Sequence, residues 1–181
     1  MSIAPVFEKD TSIQAILYIA QHLERSDIHK ICKILYFADQ MSLSKYGRSI
    51  TGDTYIAMNY GPVPSNIEDI FKALRGRSYF SAYVDDIRPY FGFANDYILK
   101  ALKQPDMDYL SGSDVKCLDA AIAKCKDLSF YQLTALSHDY AWSNTSRDGV
   151  MSVADILKEA GDSDEYIRFV ETDMVLERAL L

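Results

Sequence analysis

The sequence predicts an α+β fold, a mainly helical core with a small antiparallel β-sheet. Three observations predict it. Apolar residues recur at helical spacing along most of the chain, most densely from Ile28 to Met41. Short stretches at residues 53–60, 80–84 and 97–102 read instead as strands. The length of 181 residues suits one domain with a real core, so residues 1–181 are taken as a single domain.

Residues 1–10 read as an arm, and a first helix over residues 11–23 carries Ile13, Ile16, Leu17 and Ala20 on its core face. The next helix opens at Ser26 as N-cap, with Asp27 at the positive end of its dipole. Ile28, Ile31, Cys32, Leu35 and Ala38 share one face, and Ile34, Tyr36, Phe37 and Met41 extend the apolar surface around the cylinder. Only Lys30, Lys33 and Gln40 leave a thin polar stripe. A helix this apolar has to be covered on several sides, which places it at the centre of the fold. Gly47 is its stop.

In residues 53–60, Thr54, Ile56, Met58 and Tyr60 face one way, and Tyr55, Ala57 and Asn59 the other. Gly61-Pro62 is expected to end that strand, because proline donates nothing to a ladder. Pro64 suits the first turn of a helix burying Ile67, Ile70, Phe71 and Leu74 and ending at Gly76. Phe80, Ala82 and Val84 then alternate, and residues 97–102 make a further strand, so the strands are expected to form one small sheet. Residues 85–96 show no clear period.

Helices return at Ser113, with Val115, Leu118, Ile122 and Cys125 as one stripe. Ser129 with Gln132 is a capping-box pattern opening a short helix expected to bury Phe130, Leu133 and Leu136. Residues 139–151 read as a loop around Trp142. Ser152 with Asp155 caps another helix ending at Gly161. Ser163 begins the last one, with Tyr166, Phe169, Val170 and Met174 apolar and Asp164, Glu165, Glu171, Asp173 and Glu177 outside.

The net charge of −7 argues against a general nucleic-acid binder, which would carry a basic patch. It fits a partner with a basic surface, although many soluble proteins are equally acidic. Cys32, Cys117 and Cys125 have no paired spacing and imply reduced thiols in a cytoplasm. No signal peptide or membrane span is read. His29 and Cys32 stand three apart, but no further ligands lie nearby, so no metal is expected. Ser65, His138 and Asp53 lack a nucleophile elbow, and Gly47, Gly52 and Gly61 are too scattered to cradle phosphate, so no cofactor is expected. Asp39 and Asp53 read as caps or as partners of Arg48. The surplus lies in thirteen tyrosines, of which Tyr36, Tyr46, Tyr55 and Tyr60 crowd the central unit. Such residues either pack a sheet on helices or anchor a protein partner.

Three blocks in order carry a resemblance. They are Lys33-Ile34-Leu35-Tyr36-Phe37-Ala38-Asp39, then Tyr46-Gly47-Arg48 with Thr51-Gly52-Asp53-Thr54-Tyr55, then Tyr60-Gly61-Pro62-Val63-Pro64. Together with Asp127-Leu128-Ser129, Ser137-His138 and Trp142 downstream, they resemble the Panacea domain, also called the SocA-like antitoxin domain. The resemblance implies a cytoplasmic antitoxin, of the kind carried on mobile genetic elements, that binds and neutralises a protein toxin encoded by an adjacent gene. Some members of that family hand the toxin to a protease, which adds a protease to the implied partners. Others carry an added helix-turn-helix for DNA, which is not expected in this chain; with its acidic charge and no membrane span read, no direct nucleic-acid or membrane partner is expected. The expected mode is binding without turnover, through Tyr46, Tyr55, Tyr60 and Pro62 beside the rigid Gly61-Pro62 corner. An acidic face would steer a basic toxin. The alternative is a small-molecule-binding protein or enzyme with a pocket near Tyr60-Gly61-Pro62.

Overall fold

The computed structural model describes residues 4–77 and 84–180. Along the chain come α1 (Lys9–Gln21), α2 (Ile28–Tyr46), β1 (Tyr55–Met58), β2 (Gly61–Pro64), α3 (Ser65–Leu74), α4 (Val84–Ile87), β3 (Phe91–Asn95) and β4 (Ile98–Ala101). A 3-10 turn at Met107–Tyr109 leads into α5 (Gly112–Cys125), α6 (Phe130–Ser137), α7 (Tyr140–Ser143), α8 (Val153–Ala160) and α9 (Asp164–Ala179). The fold is mostly helical with two small antiparallel hairpins.

Helix α2 is the hub, as its all-round apolar surface requires. It packs against α5 most extensively, and also against α1, α6, α8 and β2. Ile31, Ile34, Leu35, Tyr36 and Ala38 are buried on different sides of it. Gly47 closes it in the left-handed conformation, its N–H donating to the Leu43 carbonyl. The N-cap is Asp27, not Ser26: the Asp27 carboxylate accepts the His29 N–H at 3.0 Å. Ser26 is held extended instead, because residues 26–28 pair with β4 through Leu99 N–H to the Ser26 carbonyl and Ile28 N–H to the Tyr97 carbonyl. Lys33 is not part of a polar stripe. It is fully buried, and its ammonium donates to the Pro62 carbonyl at 2.8 Å.

The strands form two separate two-stranded sheets, β1–β2 and β3–β4, rather than one. Gly61-Pro62 does not end the first strand's ladder; the chain turns at Asn59-Tyr60 and β2 runs back along β1. Both prolines are tolerated by register. Pro62 lies opposite Ala57 and Pro64 opposite Tyr55. Ala57 N–H and the Tyr55 carbonyl point the other way, to the Gly149 carbonyl and Met151 N–H. The prolines therefore occupy positions where no ladder bond to β1 is made. In the alternating stretch, residues 80 and 82 lie outside the described residues and Val84 opens α4. Residues 85–96 hold α4 and β3, which pairs with β4.

The capping box at Ser129 and Gln132 forms as read, and a second one joins Ser111 to Asp114. Ser152 and Ser163 cap α8 and α9. Where a loop was expected around Trp142, Asp139 accepts the Trp142 N–H at 2.9 Å and caps the short α7. Helix α6 buries Leu133, but Phe130 and Leu136 are exposed. A two-turn helix lying on the surface hides one face only, and Leu133 and Ser137 fill it. On α9, Ile167 joins Val170 and Met174 in the core, while Phe169 points to solvent.

Candidate functional site

The polar residues of the motif blocks serve as staples between distant elements. Asp39 is buried on α2 and accepts from Ile50 N–H (2.7 Å), Thr51 N–H (3.0 Å) and the Tyr55 hydroxyl (2.8 Å), fixing the loop after α2. Burial of its carboxyl raises its pKa, and these donors oppose that shift. Tyr36 donates to the Asp139 carboxylate at 2.7 Å and meets Tyr55 edge-on, with ring centres 5.2 Å apart. Arg48 pairs with Asp114 at 2.7 Å, not with Asp39 or Asp53, and so ties the turn after α2 to the start of α5. Asp53 caps α3, accepting the N–H groups of Asn66 and Ile67, each at 2.9 Å. His138 stacks flat on Trp142, ring centres 3.6 Å apart, and Ser65 N–H donates to the Thr54 carbonyl. Ser65, His138 and Asp53 thus have three separate structural tasks.

At the N-terminal end of α2 the hairpin turn and α6 frame a groove of about 800 Å³. Ile28, Cys32, Met58 and Val63 make apolar wall, and Tyr60 and Phe130 stand at its edge. Tyr60 meets Phe130 edge-on at 5.2 Å, and Phe130 meets Tyr131 at 5.6 Å and His29 at 4.2 Å between ring centres. These aromatic rings face solvent: Tyr60 is 59% exposed, Phe130 41% and Tyr131 82%. The turn is held from beneath. His29 Nε2 donates to the Tyr60 carbonyl (3.2 Å), and Lys33 reaches the Pro62 carbonyl. Gly61 has φ +96°, and a Cβ there would meet Ser137 Oγ at 2.2 Å and Lys33 Cε at 2.9 Å, so glycine is required on both counts.

The groove's charges are mostly settled in pairs. Arg25 faces Asp27 (3.9 Å), Arg75 faces Glu68 (3.5 Å) and Arg147 faces Asp148 (3.6 Å). Lys33 alone among the groove's cations has a carbonyl and no carboxylate partner, among the described residues. Burial lowers its amine from 10.5 to about 8. Burial, with Lys33 nearby, lowers His29 to about 4, so the imidazole is neutral at neutral pH. Burial pushes the Cys32 thiol up to about 12, which leaves it unionised and a poor nucleophile. Among the described residues, no three His, Cys, Asp or Glu side chains gather as a metal would need, and no helix is long and apolar enough to cross a membrane.

Residues 31–143 match the family model described as antitoxin SocA-like, Panacea domain, which spans more than half of the chain. The chain belongs to this family. No curated protein and no solved structure matches it.

Within this Panacea domain the four residues read as toxin-binding are not brought together. Tyr55 is 3% exposed, with its hydroxyl on Asp39, and Pro62 is buried with its carbonyl on Lys33. Tyr46 and Tyr60 are exposed, but they sit at opposite ends of α2. His29 touches Tyr60, and the helix rises about 25 Å from residue 29 to residue 46. Phe130 and Tyr131 were missed. The signal was the composition of α6, whose Phe130, Tyr131, Leu133 and Leu136 are more apolar residues than one face of a short helix can bury.

Proposed function

We propose that this Panacea domain is an antitoxin that captures a cognate protein toxin, encoded next to it, by direct binding and without turnover. The observation that carries the proposal is the exposed aromatic cluster of Tyr60 and Phe130, which line a mainly apolar groove, and Tyr131, which extends it from Phe130. Tyr60 on a braced turn, and Phe130 and Tyr131 at the capped start of α6, lose little freedom on docking, and such residues dominate protein interfaces. Stoichiometric neutralisation and delivery to a protease share this first step, and the proposal concerns that capture in the cytoplasm.

The test is growth rescue with the neighbouring toxin gene, paired with affinity measurement, for Tyr60→Ala, Phe130→Ala and Tyr131→Ala. Loss of a hot-spot aromatic costs about 2 kcal/mol or more, roughly thirtyfold in Kd. At least one variant that keeps wild-type circular dichroism should lose rescue, while Tyr46→Ala, at the far end of α2, should keep it. Wild-type toxin affinity in all three folded rim variants would refute the rim as the docking surface.

A second reading draws on the same groove. Its volume of about 800 Å³ would hold a small molecule, with neutral His29 and the buried Lys33 ammonium at its floor. Under that reading the rim variants would lose the ligand and keep toxin binding, so the same variants separate the two.

A further inference from the structure

Helix α9 presents two apolar stripes. Ile167, Val170 and Met174 face inward and are buried. Phe169 and Leu176 lie on the other side, 62% and 57% exposed, and Leu180 at the helix C-cap continues their line. Spacings of seven and four residues align the three along about 16 Å of helix. A helix that only covered a core would show the first stripe and not the second. The surrounding charge has one dominant sign. With about 3.6 residues per turn, Glu165, Asp173 and Glu177 flank the outer stripe, whereas Asp164, Glu171 and Arg178 lie on the opposite side of the helix and Arg168 lies between. Among the described residues, none of those five carboxylates enters an ion pair. Tyr166 donates to the Leu43 carbonyl, which fixes α9 at the C-terminal end of α2, the end opposite the Tyr60 groove.

We infer that the outer stripe of α9 is a second docking surface, and that its occupant is a basic amphipathic helix of a protein partner. The charge selects that occupant. A second copy of this chain would set these carboxylates against their own equals, and an anionic lipid surface would repel them. A helix flanking its apolar residues with Lys or Arg buries Phe169, Leu176 and Leu180 and gives the carboxylates partners. This surface is separate from the groove and stands or falls independently of the toxin-capture reading.

The test titrates the full chain against a fluorescein-labelled Leu/Lys peptide of about 18 residues, patterned as an amphipathic helix. A Leu/Glu peptide of the same pattern and a scrambled Leu/Lys peptide serve as controls. The patterned basic peptide should bind at least roughly tenfold more tightly than either control. Its affinity should fall as salt rises from about 50 to about 300 mM. Leu176→Ser, an exposed position, should weaken it roughly tenfold with the circular dichroism unchanged. If that variant loses its fold, Glu165→Lys with Asp173→Lys should abolish the preference for the basic peptide. Equal binding of the scrambled or acidic peptide, or no binding, overturns the inference. So do a wild-type dimer in sedimentation that Leu176→Ser dissolves, and adsorption to phosphatidylglycerol vesicles.

Discussion

Replacing Lys33 by methionine gives a sharp test of how the centre of this fold is held. Among the described residues, the buried Lys33 ammonium makes one hydrogen bond, to the Pro62 carbonyl. Its amine holds a proton less tightly in the fold, at about 8 against 10.5. Between those two values the unfolded chain binds more protons than the folded one, so stability from this residue rises with pH. Below the folded value both states are charged, and burying the charge costs about 3 kcal/mol. Above the unfolded value both states are neutral and that cost is gone. Integrated from pH 8 to pH 10, the wild type should gain about 2 kcal/mol from Lys33 alone.

Methionine has similar reach and no proton to titrate. It removes the cost of burying charge but leaves the Pro62 carbonyl without its donor, a loss of about 1–3 kcal/mol. At pH 7 the two effects nearly offset, and Lys33→Met should unfold within about 2 kcal/mol of wild type in either direction. The assay is urea unfolding of both proteins at pH 8, 9 and 10. Other lysines, tyrosines and cysteines titrate in both and drop out of the difference. Wild type should gain on the variant by about 2 kcal/mol across that range. A difference constant to within about 0.5 kcal/mol would refute the reasoning, because it would mean that the amine is hydrated in the fold.

Leu35→Ala, in the buried heart of α2, should cost about 2–5 kcal/mol in urea unfolding, and a cost near zero would remove α2 from the centre of the core. Cys32, Cys117 and Cys125 are all buried, and burial pushes the Cys32 and Cys125 thiols up to about 12 and about 11. A disulfide-exchange reagent should leave all three untouched in the native protein and label all three in urea; rapid labelling of any one in the folded state would contradict that burial.

Much of the fold was legible because its signals are local. The periodicity of α2, its stop at Gly47 and the Ser129–Gln132 box each depend on a few neighbouring residues, and each forms as read. The failures depend on partners far along the chain. Lys33 looks like a solvent-facing residue until the Pro62 carbonyl arrives above it. Ser26 looks like a cap until β4 claims its carbonyl. Proline looks like the end of a strand only if its nitrogen faces the neighbouring strand. In β2 the register turns both prolines away, and residues 148–151, remote in sequence, take the other edge of β1.

The site was less legible for a related reason. Alternation along residues 53–60 already put Tyr55 and Tyr60 on opposite faces, so a strand with one covered side could not show both to a partner. The structure places Tyr55 inside, where its hydroxyl completes the donors around Asp39. Most of the motif residues, Lys33, Tyr36, Asp39, Arg48 and Asp53 among them, have their polar groups committed to holding elements together. Tyr60, Phe130 and Tyr131 have large faces in solvent, and only Tyr60 belongs to the motif blocks. The scaffold and the proposed docking rim are therefore largely different residues. Substitutions on the rim should alter which toxin is captured at little cost in stability, whereas substitutions among the buried staples should unfold the domain before they reveal anything about recognition.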